Sequence, residues 1–77
     1  MSDLRERNRI LVDRRRIGGI VRDRRKAAGM SQYALAREIR VARTYVTRIE
    51  LGTHEPRLST LEAICNALGM SVSELFR

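Results

Sequence analysis

Aromatic side chains are almost missing from these 77 residues: Tyr33, Tyr45 and Phe76 stand alone, without a tryptophan. A chain so poor in aromatic platforms has little on which to stack the splayed bases of a single strand, so single-stranded RNA or DNA is a poor candidate partner. One cysteine, Cys65, excludes an internal disulfide and is too few for a thiolate metal site. One histidine, His54, has no carboxylate or thiol companion at ligand spacing, so neither a metal nor a cofactor is expected. No apolar run approaches the ~18 residues of a membrane span. The opening MSDLRERNR lacks the apolar core of a signal peptide, and the expected location is cytoplasmic. No Ser, Cys or His is surrounded by a base, an orienting partner and a glycine-rich loop, which argues against an enzyme.

Positive charge is what the chain has in excess. Sixteen Lys and Arg, all but Lys26 arginine, face nine Asp and Glu for a net charge of +7. A domain this basic seeks a polyanion first. The length allows one small domain whose thin core leans on a partner or on self-association. With 43% hydrophobic residues and so few aromatics, that core must be built from Leu, Ile, Val and Ala, which favours helices.

The glycines set the layout. Gly29, Gly52 and Gly69 each follow a helix-like stretch, and Ser31 and Ser71 restart the chain, the latter with Glu74 placed for a capping box. Helix one is expected from an Asp13 N-cap to Ala28, with Ile17, Val21 and Ala28 inward. Helix two is expected over Gln32 to Ile39, burying Leu35, Ala36 and Ile39, and helix three over Arg43 to Leu51, burying Tyr45, Val46 and Ile49. A fourth carries Leu58, Leu61, Ile64, Cys65 and Leu68 on one stripe; a short fifth carries Val72, Leu75 and Phe76. Cys65 on that stripe reads as a packed thiol. The fold class is therefore all-α, a single compact domain of five helices over residues 17–77, preceded by an arginine-rich extension, residues 1–16. That extension is either a disordered arm or, if Ile10, Leu11 and Ile17 share a face, a backward prolongation of helix one; a partly helical, mobile segment is the reading favoured here.

Only Arg40 to Ala42 separate helices two and three, so these must cross steeply, as in a helix-turn-helix. Opposite the apolar side of helix three stand Arg43, Thr44, Thr47 and Arg48. An arginine pairs bidentately with guanine in the major groove, and a threonine offers a hydroxyl together with a methyl suited to thymine. The same face could be an ordinary solvated surface; the net charge favours base reading.

The stretch GMSQYALAREIRVARTYVTRIELGTHEP followed by LSTLEAICNALGMSVSELF resembles the Cro and phage-repressor (XRE) helix-turn-helix family over Ile17 to Phe76, and RTYVTRIE is similar to restriction-modification controller proteins. The resemblance implies base reading by Arg43, Thr44, Thr47 and Arg48. It implies phosphate contacts from Gln32, Tyr45, Thr53, His54 and Arg57, and a structural ion pair between Arg25 and Glu50. Tyr33 could contact phosphate or merely cover helix two. Several positions depart from the family pattern: Arg40 replaces a turn glycine, Ala42 replaces a Ser or Thr N-cap, and Arg24 and Ile20 exchange the usual apolar and polar sites. The apolar end of the chain, Val72, Leu75 and Phe76, is a candidate dimer interface, with closure of the core against helix one as the alternative. The N-terminal arginines could form a DNA-backbone or minor-groove arm, or simply be solvated.

The favoured function is a sequence-specific DNA-binding transcriptional regulator, a homodimer on a roughly palindromic operator near its own promoter. Its partner would be double-stranded DNA, with no small-molecule substrate. The alternative is an antitoxin-like module that uses the same fold to hold a protein partner.

Overall fold

The computed structural model describes the backbone from Leu4 onward and side chains from Asp13 to Arg77. Four α-helices run in order, α1 (Leu4–Ala27), α2 (Gln32–Ile39), α3 (Arg43–Leu51) and α4 (Leu58–Leu68), and a single 3-10 turn, Val72–Leu75, follows. Among the described residues no helix is long and apolar enough to cross a membrane.

Local chemistry sets most of these boundaries. Ser31 opens α2 by accepting the Ala34 N–H at 2.9 Å, as an N-cap serine does. Each helix then closes in the same way, with paired backbone bonds around a left-handed residue: Gly29, Arg40, Gly52 and Gly69. At Arg40 (φ 61°, ψ 48°) a residue with a Cβ takes the conformation a glycine would adopt more cheaply. Its reward is a complete closure, with Arg40 N–H on the Arg37 carbonyl at 3.2 Å and Val41 N–H on Ala36 at 2.9 Å. Ala42 opens α3 and Arg57 opens α4 without any side-chain cap.

Packing converts these helices into one core. Val21 from α1, Leu35 and Ala36 from α2, Val46 and Ile49 from α3, and Leu61, Ile64 and Cys65 from α4 are buried, together with Met70 and Leu75. Burial raises the Cys65 thiol above its ordinary pKa, and the Glu74 charge adds to the rise. The tightest approach lies where α1 crosses the end of α3. A Cβ built on Gly18 would meet the carbonyl oxygens of Ile49 and, at 2.6 Å, of Glu50. One built on Gly52 would lie 2.9 Å from the Arg15 backbone nitrogen. Two glycines thus let two backbones touch, which fixes the height of α3 against α1.

Several expectations are corrected. Helix one begins at Leu4, so Asp13 is an exposed residue inside it and not an N-cap. The run LRERNRILV has no Gly or Pro to stop a helix, and an aspartate within a helix costs only a few tenths of a kcal/mol. The side chains of Arg5, Arg7, Arg9, Ile10 and Leu11, and with them the shared-face argument, lie outside the described residues. Ala28 is exposed because α1 has already closed into its turn, and Leu58, at the first position of α4, is exposed as well. The expected fifth helix is one 3-10 turn, in which the i, i+3 pair Val72 and Leu75 still shares a side. Arg24 lies on the surface while Ile20 packs against the core, which accounts for their exchanged character.

Candidate nucleic-acid interface

Arg43, Thr44 and Arg48 are exposed on α3, and Thr47 is half-buried beside them. The opposite side of the same helix sinks Val46, Ile49 and Glu50. A short helix anchored along one side is held rigidly, because its rotation would lift Val46 and Ile49 out of the core.

The helix is also wired to the interior through polar groups. Arg25 donates from Nε to Glu50 Oε2 at 2.7 Å and from Nη2 to Oε1 at 3.0 Å, a two-pronged pair between residues that are each only 8% exposed. A third guanidinium nitrogen, Nη1, donates to the Met30 carbonyl at 2.8 Å and so ties the α1–α2 turn to the same centre. Bonding to Glu50 raises the Arg25 pKa, burial opposes the rise, and the carboxylate charge adds to it; the arginine stays ionised. Gln32 continues the chain outward. Its Nε2 donates to Glu50 Oε1 at 3.0 Å, and its Oε1 accepts the Thr47 hydroxyl at 2.8 Å. A carboxylate can only accept, so the amide orientation is fixed: the NH₂ faces Glu50 and the oxygen faces Thr47. Thr47 Oγ1 also lies 3.2 Å from the Arg43 carbonyl. The path Arg25, Glu50, Gln32, Thr47 therefore runs from a buried charge to the exposed face of α3.

Of the remaining expected residues Tyr45 lies on α3 itself, Thr53, His54 and Arg57 in the loop that follows it, and Tyr33 on α2. Tyr45 is half-buried, with His54 edge-on to its ring at 4.8 Å between centroids. Thr53 caps the end of α3, its backbone N–H 3.0 Å and its hydroxyl 3.3 Å from the Arg48 carbonyl. Arg57 is exposed at the start of α4, and one recess is lined by Tyr45, His54 and Arg57 together. Tyr33 is 60% exposed and carries the Arg37 guanidinium 5.9 Å from its ring centroid. That Arg37 contact went unread in the sequence, although i, i+4 spacing was its signal. Of the candidate dimer residues, Leu75 is fully buried within the fold and Val72 packs against the core, so only Phe76 stands free. Among the described residues no cluster of His, Cys, Asp or Glu could hold a metal.

With this geometry in view, the comparisons are specific. The helix-turn-helix family model HTH_3 matches residues 21–75. The chain is 37% identical over 59 residues to an immunity repressor protein of Bacillus phage phi105, a match covering 77% of this chain and 41% of that protein, less than half its length. The restriction-modification controller protein C.AhdI from Aeromonas hydrophila superposes with a TM-score of 0.80 at 32% identity, over 84% of this chain and 98% of that one. SinR, a master regulator for biofilm formation solved in complex with DNA, gives 0.75 at 32% identity, over 79% and 98%. The family model spans the core, both helices of the turn and the buried pair alike, and the chain belongs to the HTH_3 helix-turn-helix family, the XRE/Cro-like family of DNA-binding transcriptional regulators, which is not enzymatic.

Proposed function

We propose that this chain reads a specific DNA operator as a homodimer and regulates transcription there, at a roughly palindromic site near its own promoter. The observation that carries the reading is the exposed row Arg43, Thr44 and Arg48 on a helix locked from behind, with Thr47 held by Gln32. Arg43 and Arg48 supply forks for guanine edges, and Thr44 and Thr47 supply methyls and hydroxyls. Gln32, Tyr45, Thr53, His54 and Arg57 surround that row and take phosphates, with Tyr33 beside them. Such contacts give salt-sensitive affinity without choosing a sequence. A repressor relative from a phage and a controller protein of the same fold are consistent with action at the protein's own control region. Two-fold symmetry would set the two copies of α3 about 34 Å apart, one turn of the duplex.

Selection from a random duplex library tests this directly. Enrichment of a two-fold symmetric site is expected. Arg43→Ala should then relax selection at one or two positions at a cost of about 1 to 3 kcal/mol there, while Arg57→Ala weakens every duplex alike and flattens the salt dependence. No enrichment from the library, with binding that vanishes as salt rises, would overturn operator reading and favour a protein partner. Uniform losses for Arg43→Ala would remove it from the base-reading row.

A further inference from the structure

Three of the four left-handed closures use glycine, at Gly29, Gly52 and Gly69. The fourth uses Arg40, the one residue with a Cβ at positive φ among the described residues. A side chain in that conformation costs folding free energy that a glycine would not, and such strain persists where something outside the closure offsets it. The closure itself has no need of the side chain. Both of its bonds, from the Arg40 N–H to the Arg37 carbonyl and from the Val41 N–H to the Ala36 carbonyl, are made by backbone.

Nor is the cost offset by the guanidinium inside the fold. Arginines of α1 are engaged there: Arg14 pairs with Glu55, Arg24 with Glu74 and Arg25 with Glu50, and Arg16 donates to the Leu75 carbonyl. Arg40 is exposed, and among the described residues its side chain joins no ion pair. The charges around it are mostly of its own sign. Arg37, whose guanidinium lies over the Tyr33 ring, precedes it by three residues, and Arg43 follows it by three. Glu38 is the one carboxylate of that stretch, and it too is exposed. An anion from outside is what such a turn lacks.

Position indicates which anion. Val41 packs against the core directly after Arg40, so the side chain leaves from a fixed point. That point lies outside α3, ahead of Arg43, which opens the row assigned to base reading. With α3 in the major groove, a residue rooted before its first turn stands at the groove wall, where the acceptors are phosphate oxygens. We propose that Arg40 is a phosphate-binding residue of the turn, where a less stable closure is kept for a contact to the DNA backbone. The proposal deepens the operator-reading function and rests on its placement of α3 against DNA; the family pattern, with a glycine at this position, supplies no such contact.

The test uses Arg40→Gly, Arg40→Asn and Arg40→Lys in two measurements: urea unfolding, and binding across a salt series to an enriched duplex and to a random-sequence duplex of the same length. Arg40→Gly should unfold at a higher urea concentration than the wild type. It should nevertheless bind both duplexes roughly three- to tenfold more weakly at about 0.15 M salt, with the slope of log K against log salt reduced by about 0.9, the share of one phosphate. Arg40→Asn tolerates the left-handed backbone without a charge and should lose the same slope, while Arg40→Lys keeps it. A residue with only a structural role would not move the two measurements in opposite directions. Affinity and slope unchanged in Arg40→Gly would overturn the proposal, and a loss confined to the enriched duplex would replace the phosphate by a base. Duplex selection separates the two readings. A wild type that enriches a site which Arg40→Gly binds equally well sinks the turn contact alone, whereas a wild type that enriches nothing, yet binds duplex with a slope that Arg40→Gly lowers, sinks operator reading and leaves the contact standing.

Discussion

Replacing Arg25 by methionine should come close to unfolding the domain. The substitution keeps much of the side chain's volume but takes two donors from the Glu50 carboxylate, Nε at 2.7 Å and Nη2 at 3.0 Å, and one from the Met30 carbonyl. Glu50 is then left 8% exposed with Gln32 Nε2 as its one remaining side-chain donor. Breaking a buried pair from one side costs about 3 to 5 kcal/mol, because the surviving charge stays desolvated. A domain of this length holds roughly 4 to 12 kcal/mol in all. At about 4 to 8 °C for each kcal/mol, the melting temperature should fall by something on the order of 12 to 40 °C. Urea and thermal denaturation of Arg25→Met beside the double variant Arg25→Met/Glu50→Met separate charge stranding from lost packing. The double variant should recover most of the loss, since two apolar side chains leave no orphaned charge. A single variant within about 0.5 kcal/mol of the wild type, or a double variant no more stable than the single, would refute the argument.

Gly18 and Gly19 should respond in opposite senses to the same change. Gly18→Ala drives a methyl onto the Ile49 and Glu50 carbonyls, which are backbone and cannot step aside, so a loss of about 1 to 3 kcal/mol is expected in urea unfolding. Gly19→Ala meets nothing within 4 Å and should gain up to about 1 kcal/mol from helix propensity; equal effects would mean that the two helices do not touch at Gly18. Arg40→Gly should stabilise by about 0.5 to 1 kcal/mol, because glycine adopts the left-handed conformation without a Cβ penalty, and a destabilised variant would count against that closure. Acid should loosen the C-terminal turn. The Ser71 N–H holds the Glu74 carboxyl below its ordinary pKa, burial opposes this, and Arg24 and Arg77 add to the lowering. With its folded pKa depressed, Glu74 contributes stability that is fully present above the usual carboxylate range and is lost as pH falls through the folded value. Amide exchange at Ser71 and Phe76 should therefore quicken over that acid range in the wild type and not in Glu74→Gln, and identical profiles would exclude Glu74 as the group responsible.

What could be read from the sequence followed its punctuation. Ser31 and Gly52 bracket α2 and α3, and both helices lie where those residues place them. The start of α1 was illegible because an aspartate serves equally as an N-cap and as an exposed residue within a helix, and nothing between Leu4 and Asp13 forces a stop. The outward face of α3 was legible through its 3.6-residue period. That Leu75 turns inward and Phe76 outward was not, since both fit the same apolar stripe. The clamp of Arg16 and Arg24 on the turn, and the Arg14–Glu55 pair, join residues far apart in the chain. Nothing local announces such pairs. Their only trace was a surplus of arginine on α1, which a solvated surface would have explained as well.

The buried pair is better understood through Gln32 than through stability. An apolar pair in place of Arg25 and Glu50 could hold α1 against α3, so stability alone does not require the charges. What the charges add is direction: Glu50 accepts only, which turns the Gln32 amide so that its oxygen faces Thr47 and takes the hydroxyl proton. Thr47 is then the donor of that bond and not its acceptor. In the double variant Arg25→Met/Glu50→Met that polarity is gone, and the Gln32 amide is free to rotate and offer Thr47 either end. Folding and base discrimination should therefore separate in this variant, with the melting temperature largely restored and selection at the Thr47 position still relaxed. A double variant that discriminates as the wild type does would show that packing alone orients α3 for the proposed base reading.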